Sequence, residues 1–253
     1  FNHALDSSAS SLSITNSIIT DNGGNAIKSN SPSILIENII SHNSKTGIVL
    51  SSSTSTIRGN AIKYNLNGIN CENSIVTILD NNISNNYAGS ITVDPSSSGS
   101  AISNNTLQNN SCNGIIVSTG IISSDIDWGA DSPYVIKGRP GPYTGPAAVS
   151  LTVAEGASLT VHPGVIVKFQ NEQSHIDVQG TLIADGTDTD KIVFTSYNDD
   201  EYGGDTNNDG PSTGSRGDWG TIRFRSSSTD NVLDYVIVKY ACSAWGAAPY
   251  SHR

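Results

Sequence analysis

Isolated isoleucine and leucine residues alternate with polar residues along the first half of the chain. One hexapeptide pattern, Asn-x-Ile/Leu-x-x-Asn/Asp, occurs five times, as NSIITD (16–21), NIISHN (38–43), NAIKYN (60–65), NNISNN (81–86) and NTLQNN (105–110). Its first residues are 22, 22, 21 and 24 positions apart. The alternation predicts short β-strands with one buried face, and the period predicts a solenoid in which each repeat forms one coil.

Each coil is expected to bury one apolar residue of the hexapeptide. The predicted inward row is Ile18, Ile40, Ile62, Ile83 and Leu107. Gly47, Gly68 and Gly114 stand directly before later strands of three coils. There we expect tight corners with the positive φ that glycine tolerates.

The repeated polar residues predict two hydrogen-bonded ladders, because coils stack at the spacing of paired strands and bring equivalent side chains together. The first predicted ladder is Asn16, Asn38, Asn60, Asn81 and Asn105, and the second is Asp21, Asn43, Asn65, Asn86 and Asn110. Asparagine also tolerates the left-handed conformation of a turn. A structural role is favoured, and a row of ligand-binding asparagines is the alternative.

Two kinds of solenoid have a period near this length. Leucine-rich repeats need several leucines per coil, whereas this chain has Ser, Asn, Thr and Gly between short apolar strands, which favours a β-helix. The variable coil length favours the right-handed form over left-handed helices built from strict hexapeptides. The pattern Asn-x-Ile-x-x-Asn-x-x-x-Gly-Ile resembles the repeats of pectate-lyase-like parallel β-helix proteins over about residues 10–120. This resemblance implies an all-β, right-handed parallel β-helix and no particular activity, because enzymes and adhesins share the fold.

The sequence texture changes after residue 122, so we predict two consecutive blocks. The first spans 1–122, a Pro- and Gly-rich junction spans 123–150, and the second spans 151–253 with coils of 25 residues. The strings SPYV, LTVHPGVIVKF, GTLIADGTDTDKIVFTS and GDWGTIRF resemble a module of large secreted and surface-anchored microbial proteins. That resemblance implies an extracellular location within a longer chain. The start at Phe1 rather than at Met also predicts a mature or trimmed fragment of a longer chain.

Charge and composition exclude several classes of function. The formal net charge is −10 and only 14% of residues are charged, so no basic surface is expected for nucleic acid. No apolar run approaches the ~18 residues that predict a membrane-spanning helix. The three cysteines are far apart and match neither a disulfide framework nor a zinc site.

An acidic insertion at 197–218 carries the strongest candidate for a metal site. Asp205, Asn207, Asp209 and Gly210 match the first half of a calcium-binding loop, in which alternate residues supply oxygen ligands and glycine permits the turn. Arg216 stands where an EF-hand has its last glutamate, so neighbouring carboxylates would have to complete the site. Those are Asp199, Asp200, Glu201 and Asp218. The alternatives are a structural Ca²⁺ site and a solvated acidic loop.

Two weaker patterns concern the cleavage and the binding of polysaccharides. Glu37 and Asp80 are expected on one face, separated by the coil of Gly59 and therefore about 9–10 Å apart, which suits an inverting hydrolase. His42 and Tyr64 are expected side by side at an outward turn, where an aromatic surface could bind sugars. Ordinary surface decoration is the alternative in both cases.

The sequence thus favours a non-enzymatic extracellular structural or adhesive surface protein. Its expected partners are further copies of itself or other surface proteins. The alternative function is a polysaccharide-binding or polysaccharide-cleaving β-helix protein, with polysaccharide as its partner. No nucleic-acid partner is expected.

Overall fold

The protein is a parallel β-solenoid of short strands, as the repeat predicts. The computed structural model describes residues 2–129, 131–138 and 150–242. The strands, in chain order, are β1 (His3–Ser7), β2 (Leu12–Thr15), β3 (Ile18–Thr20), β4 (Asn25–Ser29), β5 (Ser33–Ile36), β6 (Ile39–Ser41), β7 (Ile48–Ser51), β8 (Thr54–Arg58), β9 (Ala61–Lys63), β10 (Asn67–Glu72), β11 (Ile75–Leu79), β12 (Asn82–Ser84), β13 (Gly89–Val93), β14 (Ala101–Ser103), β15 (Thr106–Gln108), β16 (Ile115–Val117), β17 (Gly120–Ile122), β18 (Ile126–Trp128), β19 (Tyr134–Ile136), β20 (Leu151–Val153), β21 (Ser158–Val161), β22 (Ile166–Phe169), β23 (Ile176–Val178), β24 (Thr181–Asp185), β25 (Ile192–Ser196), β26 (Ile222–Phe224), β27 (Val232–Asp234) and β28 (Val236–Val238). A single 3-10 turn, Pro95–Ser97, is the only helical element in these three ranges, and no helix there could cross a membrane.

One sheet runs through both sequence blocks. This long sheet has ten parallel strands in the order β1-β4-β7-β10-β13-β16-β19-β22-β25-β28. Two five-stranded sheets, β14-β11-β8-β5-β2 and β15-β12-β9-β6-β3, complete the first coils, and two four-stranded sheets, β17-β20-β23-β26 and β18-β21-β24-β27, complete the later ones. The two smaller sheets of the first coils are therefore replaced by two others between β15 and β17, whereas the long sheet continues. Within the predicted junction, β18 and β19 already pair with strands of the second block, and residues 139–149 and 243–253 lie outside the described ranges.

The core is made of side chains stacked from coil to coil. On the long sheet, one inward row consists of Ile27, Ile48, Ile69, Ile91 and Ile115, all with no exposed surface. Burial of such a side chain contributes about 1.5–3 kcal/mol. Farther along, Trp128 stacks on Tyr134 and Trp219 stacks on Phe169, with ring centroids 4.5 and 3.9 Å apart. Aromatic pairs thus continue the core where the coils become longer.

The asparagine ladders run inside the solenoid wall. In the first, the side-chain amide nitrogens of Asn38, Asn60 and Asn81 each donate to the side-chain oxygen of the next asparagine, ending at Asn105, over 2.9–3.0 Å. In the second, the corresponding series is Asn22, Asn43, Asn65, Asn86, Asn110 and Asn113, over 2.8–3.2 Å. Each side-chain oxygen also accepts a backbone N–H of the previous coil, so the side chains satisfy buried turns.

The predicted start of both ladders is wrong by one residue in the first coil. Asn16 and Asp21 lie at left-handed corners, with φ of 50° and 59°, and Ser17 and Asn22 occupy the places assigned to them. The same shift places Ile19 in the core, whereas Ile18 is 68% exposed. Two adjacent isoleucines made both registers compatible with the sequence, and pairing of Ile19 with Ile40 selects one.

The prediction that glycines before the strands form corners with positive φ is wrong. Gly47, Gly68 and Gly114 do not have positive φ; a Cβ there would instead come within 2.9 Å or less of a carbonyl oxygen on the next coil. Left-handed corners are occupied mainly by other residues. One row is Asn16, Glu37, Gly59, Asp80 and Asn104, and the other is Asp21, His42, Tyr64, Asn85 and Asn109. The ladders directly after these corners hold them in place.

Candidate functional site

The acidic loop, residues 197–218, connects β25 to β26 and folds back over the outer face of the long sheet. The backbone N–H of Asn113 donates to the carbonyl of Thr206 over 2.7 Å, and the Tyr197 hydroxyl donates to the carbonyl of Ser111 over 3.1 Å. Ser111 and Asn113 belong to the segment between β15 and β16, where the side sheets change. The loop therefore fastens a late coil to the last coil of the first block.

A small apolar cluster lies under the acidic loop. Cys112, Ile116 and Val135 are buried together, and Tyr197 packs against them. Burial raises the pKa of the Cys112 thiol to about 11 and raises the pKa of Tyr197 above its ordinary range. These contacts keep the thiol protonated and covered while the loop is closed.

Three carboxylates converge within the loop. Asp200, Asp205 and Asp209 each offer an oxygen, and the three oxygens lie within 4.8 Å of one another. The Asp205 carboxylate accepts the backbone N–H of Asp209 over 3.1 Å and that of Gly210 over 3.0 Å, which closes the turn. The Asn207 amide nitrogen donates to Asp209 over 2.9 Å and so places the Asn207 side chain beside this group.

The loop also holds buried oxygens without a hydrogen-bond donor. In the described part of the chain, the buried side-chain polar atoms without a partner are Asp199 Oδ1, Asp200 Oδ1 and Asn207 Oδ1. Buried polar atoms are normally paired, since an unpaired one loses its hydration without compensation. One of these atoms belongs to Asp200 of the converging carboxylates, and another belongs to Asn207 beside them.

Asp199 takes a different position from the other predicted ligands. Its Oδ2 accepts the Thr195 hydroxyl over 2.5 Å and lies 3.5 Å from the ammonium of Lys239, which also bonds Glu201. Asp199 is therefore outside the converging group, as is Asp218, which accepts hydrogen bonds from Ser196 and Ser215. The structure brings together Asp200, Asp205 and Asp209, with Asn207 beside them.

A buried lysine lies beneath the loop. Lys168 points outward from β22, has no exposed surface, and donates to the carbonyl of Gly204 over 2.8 Å. Burial lowers its pKa, although the charges of Asp200 and Asp199 oppose that shift. Sequence reasoning missed Lys168; the available signal was a lone lysine within the apolar string VIVKF.

The other predicted surface residues lie on the two corner rows. His42 and Tyr64 are exposed and stacked, with ring centroids 4.9 Å apart and planes inclined by 22°. Glu37 and Asp80 share the other row with Gly59 between them, and Asp80 pairs with Arg58 over 3.0 Å. The structure thus places His42 beside Tyr64 but keeps Glu37 and Asp80 on separate coils.

An open groove follows the outer face of the five-stranded sheet β14-β11-β8-β5-β2. Its volume is about 410 Å³ and it crosses four coils. Hydroxyl and methyl groups line it, from Ser11, Ser13, Ile34, Thr54, Thr56 and Thr77 among others. Such a surface can contact an extended polymer but brings no carboxylates together.

Comparison with known proteins identifies the first part of the chain. Residues 3–124 match the family model described as a right-handed beta helix region. No curated protein and no solved structure matches the chain. The family match adds the right-handed sense to the parallel solenoid, so the predicted fold class is confirmed.

Proposed function

Because residues 3–124 match the family model of a right-handed beta helix region, we propose that the protein is a non-enzymatic structural or adhesive rod at an extracellular surface. The observation that carries the proposal is the use of the repeated polar side chains. Asn60 and Asn81 face inward and bond successive coils, so the most regular polar feature of the chain serves the wall of the solenoid. A rod that extends by stacking similar coils suits a spacer.

The outer surface supports a contact role. Ile18, Ile34 and Ile75 are 68%, 49% and 53% exposed on the outer faces of the first block. Ile34 and Ile75 lie among serine and threonine side chains on one sheet, so small apolar areas alternate with hydroxyl groups there. We propose that this face contacts further copies of the chain or other surface proteins.

A polysaccharide ligand is the second candidate. The exposed His42–Tyr64 stack and the open groove favour it, because aromatic and hydroxyl groups both contact sugars. Cleavage is less supported than binding. The converging carboxylates of the described residues are those of the acidic loop, far along the chain from Glu37 and Asp80.

A depolymerase panel tests the absence of catalysis. We expect the purified chain, with Ca²⁺ present, to release no new reducing ends or unsaturated products from neutral and acidic polysaccharides. Its heat-denatured form provides the background. Turnover that disappears in the double variant Glu37→Gln/Asp80→Asn would overturn the non-enzymatic proposal.

A binding panel separates adhesion to sugar from adhesion to protein. If polysaccharide is the ligand, Tyr64→Ala should weaken retention on the immobilised polymer, while Tyr87→Ala, which removes another exposed tyrosine, should not. Equal retention of both variants and the unaltered chain would remove the His42–Tyr64 stack as a sugar site.

A further inference from the structure

The unpartnered oxygens of the acidic loop indicate a missing electropositive group. Asp200 Oδ1 and Asn207 Oδ1 are buried, accept no hydrogen bond, and belong to residues around the converging carboxylates. A hydrogen-bond donor or a cation would satisfy them. The nearest buried cation, Lys168, donates to the carbonyl of Gly204, not to either of these oxygens.

The charge of this group leaves room for a divalent ion. Asp200, Asp205 and Asp209 bring three carboxyl groups together. Lys168 donates to the carbonyl of Gly204, and Lys239 is engaged separately by Asp199 and Glu201. Within the described residues, no side-chain cation forms an ion pair with any of the three carboxyl groups, and a divalent cation would fill that role.

The donor atoms select the kind of ion. They are carboxylate and amide oxygens, and no histidine or cysteine belongs to the group, which favours a hard cation over zinc or copper. Gly210 has a φ of 88° and turns the chain after Asp209, whose carboxylate converges with those of Asp200 and Asp205. Ca²⁺ accepts six to eight oxygens in such irregular loops, whereas Mg²⁺ requires a stricter octahedron.

We propose that Ca²⁺ binds among Asp200, Asp205, Asn207 and Asp209 and holds the acidic loop closed over the boundary between the two blocks. Asp205 takes part both in the cation group and in the contact between the loop and the first block. Its side chain belongs to the cation group, and its backbone carbonyl accepts the side-chain amide of Asn113 over 3.3 Å. Thr206, the next residue, accepts the backbone N–H of Asn113. Ion binding is thereby connected to the end of the second asparagine ladder.

Two cysteines provide an internal measurement of loop closure. Cys112 is buried under Tyr197 of the loop, whereas Cys71 is buried in the core of the first block. Opening of the loop would expose Cys112 and leave Cys71 covered. At free Ca²⁺ of ten times Kd, mass action should reduce the open population about tenfold.

The experiment is thiol labelling of the full chain, mapped to each cysteine by mass spectrometry, in Ca²⁺ and in chelator. Calorimetric titration of the chelator-treated chain with Ca²⁺ and with Mg²⁺ accompanies it. We expect heat from Ca²⁺ binding, about tenfold slower labelling of Cys112 in Ca²⁺, and no change at Cys71. The double variant Asp200→Asn/Asp209→Asn should lose both responses, and Asp188→Asn, an exposed carboxylate elsewhere, should keep them.

Three results would overturn the proposal. The first is an absence of Ca²⁺ binding by the folded chain. The second is Ca²⁺ binding that survives in the Asp200→Asn/Asp209→Asn variant, which would place the ion elsewhere. The third is Ca²⁺ binding without any change in the labelling rate of Cys112, which would show that the ion does not hold the loop closed. Circular dichroism of each variant confirms that it is folded, and none of these results depends on the proposed surface function.

Discussion

At the residue scale, position within the coil decides what an asparagine does. Asn81 is 1% exposed and bonds Ile57, Leu79 and Asn105 through its amide nitrogen. The next residue, Asn82, faces solvent from β12. Asn104 has the left-handed backbone of a corner. The same side chain thus serves as an internal tie, a surface group or a corner residue.

Replacement of Asn81 by alanine should destabilise the protein strongly. The substitution removes an acceptor for both the backbone N–H and the amide of Asn60, and it removes the amide that donates to the carbonyls of Ile57 and Leu79. Unsatisfied buried groups cost about 1–3 kcal/mol each, so we expect a loss of about 3 kcal/mol in chemical denaturation. The adjacent Asn82→Ala should change the free energy of unfolding by less than about 0.5 kcal/mol. Equal effects of the two substitutions would contradict the ladder.

Asp177 should make stability depend on acid pH. Burial alone would raise the pKa of its carboxyl, but hydrogen bonds from Arg225 and Arg223 outweigh burial and lower the pKa below 3.8. A lowered folded pKa gives stability that is complete above the unfolded value and is lost as pH falls through the folded value. Asp177→Asn should therefore be less stable than the unaltered chain at neutral pH, and the gap should narrow below about pH 4. A gap that stays constant down to pH 2 would exclude this ion pair as the cause.

At the element scale, close contact between coils limits side-chain size. Gly68 precedes β10's inward isoleucine, and a Cβ on it would lie 2.4 Å from the carbonyl oxygen of Ser90 and 2.7 Å from Ile83. Neighbouring coils would have to separate locally to admit a methyl group. Glycine is therefore needed here for space and not for its backbone conformation.

Gly68→Ala should destabilise the solenoid by about 1–3 kcal/mol, the usual cost of overpacking a core. Gly23→Ala is the matched control, because a Cβ at Gly23 meets nothing within 4 Å. Thermal and denaturant unfolding of both variants would measure the difference. If Gly68→Ala is as stable as Gly23→Ala, the close packing at this corner is not as described.

The strands were predictable because each apolar position returns at the same place in the next coil. Ile40, Ile62 and Ile83 are buried as the sequence pattern indicates. The register of the first coil was not predictable from the sequence, because Ile18 and Ile19 satisfy the same pattern in two registers. Only pairing with β6 distinguishes the two registers. Local sequence therefore defined the repeat but could not define the register of the first coil.

At the scale of the whole molecule, the contacts that distinguish this solenoid are distant in sequence. Tyr197 bonds Ser111, 86 residues earlier, and Asp205 bonds Asn113, 92 residues earlier. The sequence predicted a cation site at Asp205, Asn207 and Asp209 but did not predict where the loop lies. No periodic signal connects an insertion to the coil that it covers, so Lys168 and Cys112 were not predictable as its neighbours.

The proposed role at an extracellular surface is tested most directly by electron microscopy of intact source cells. An antibody raised against the purified chain, visualised with gold on cells that have not been permeabilised, would locate the protein. We expect gold along an outer layer or along filaments and sheets that extend from it. Gold found only inside sectioned cells, with an unlabelled surface, would contradict it.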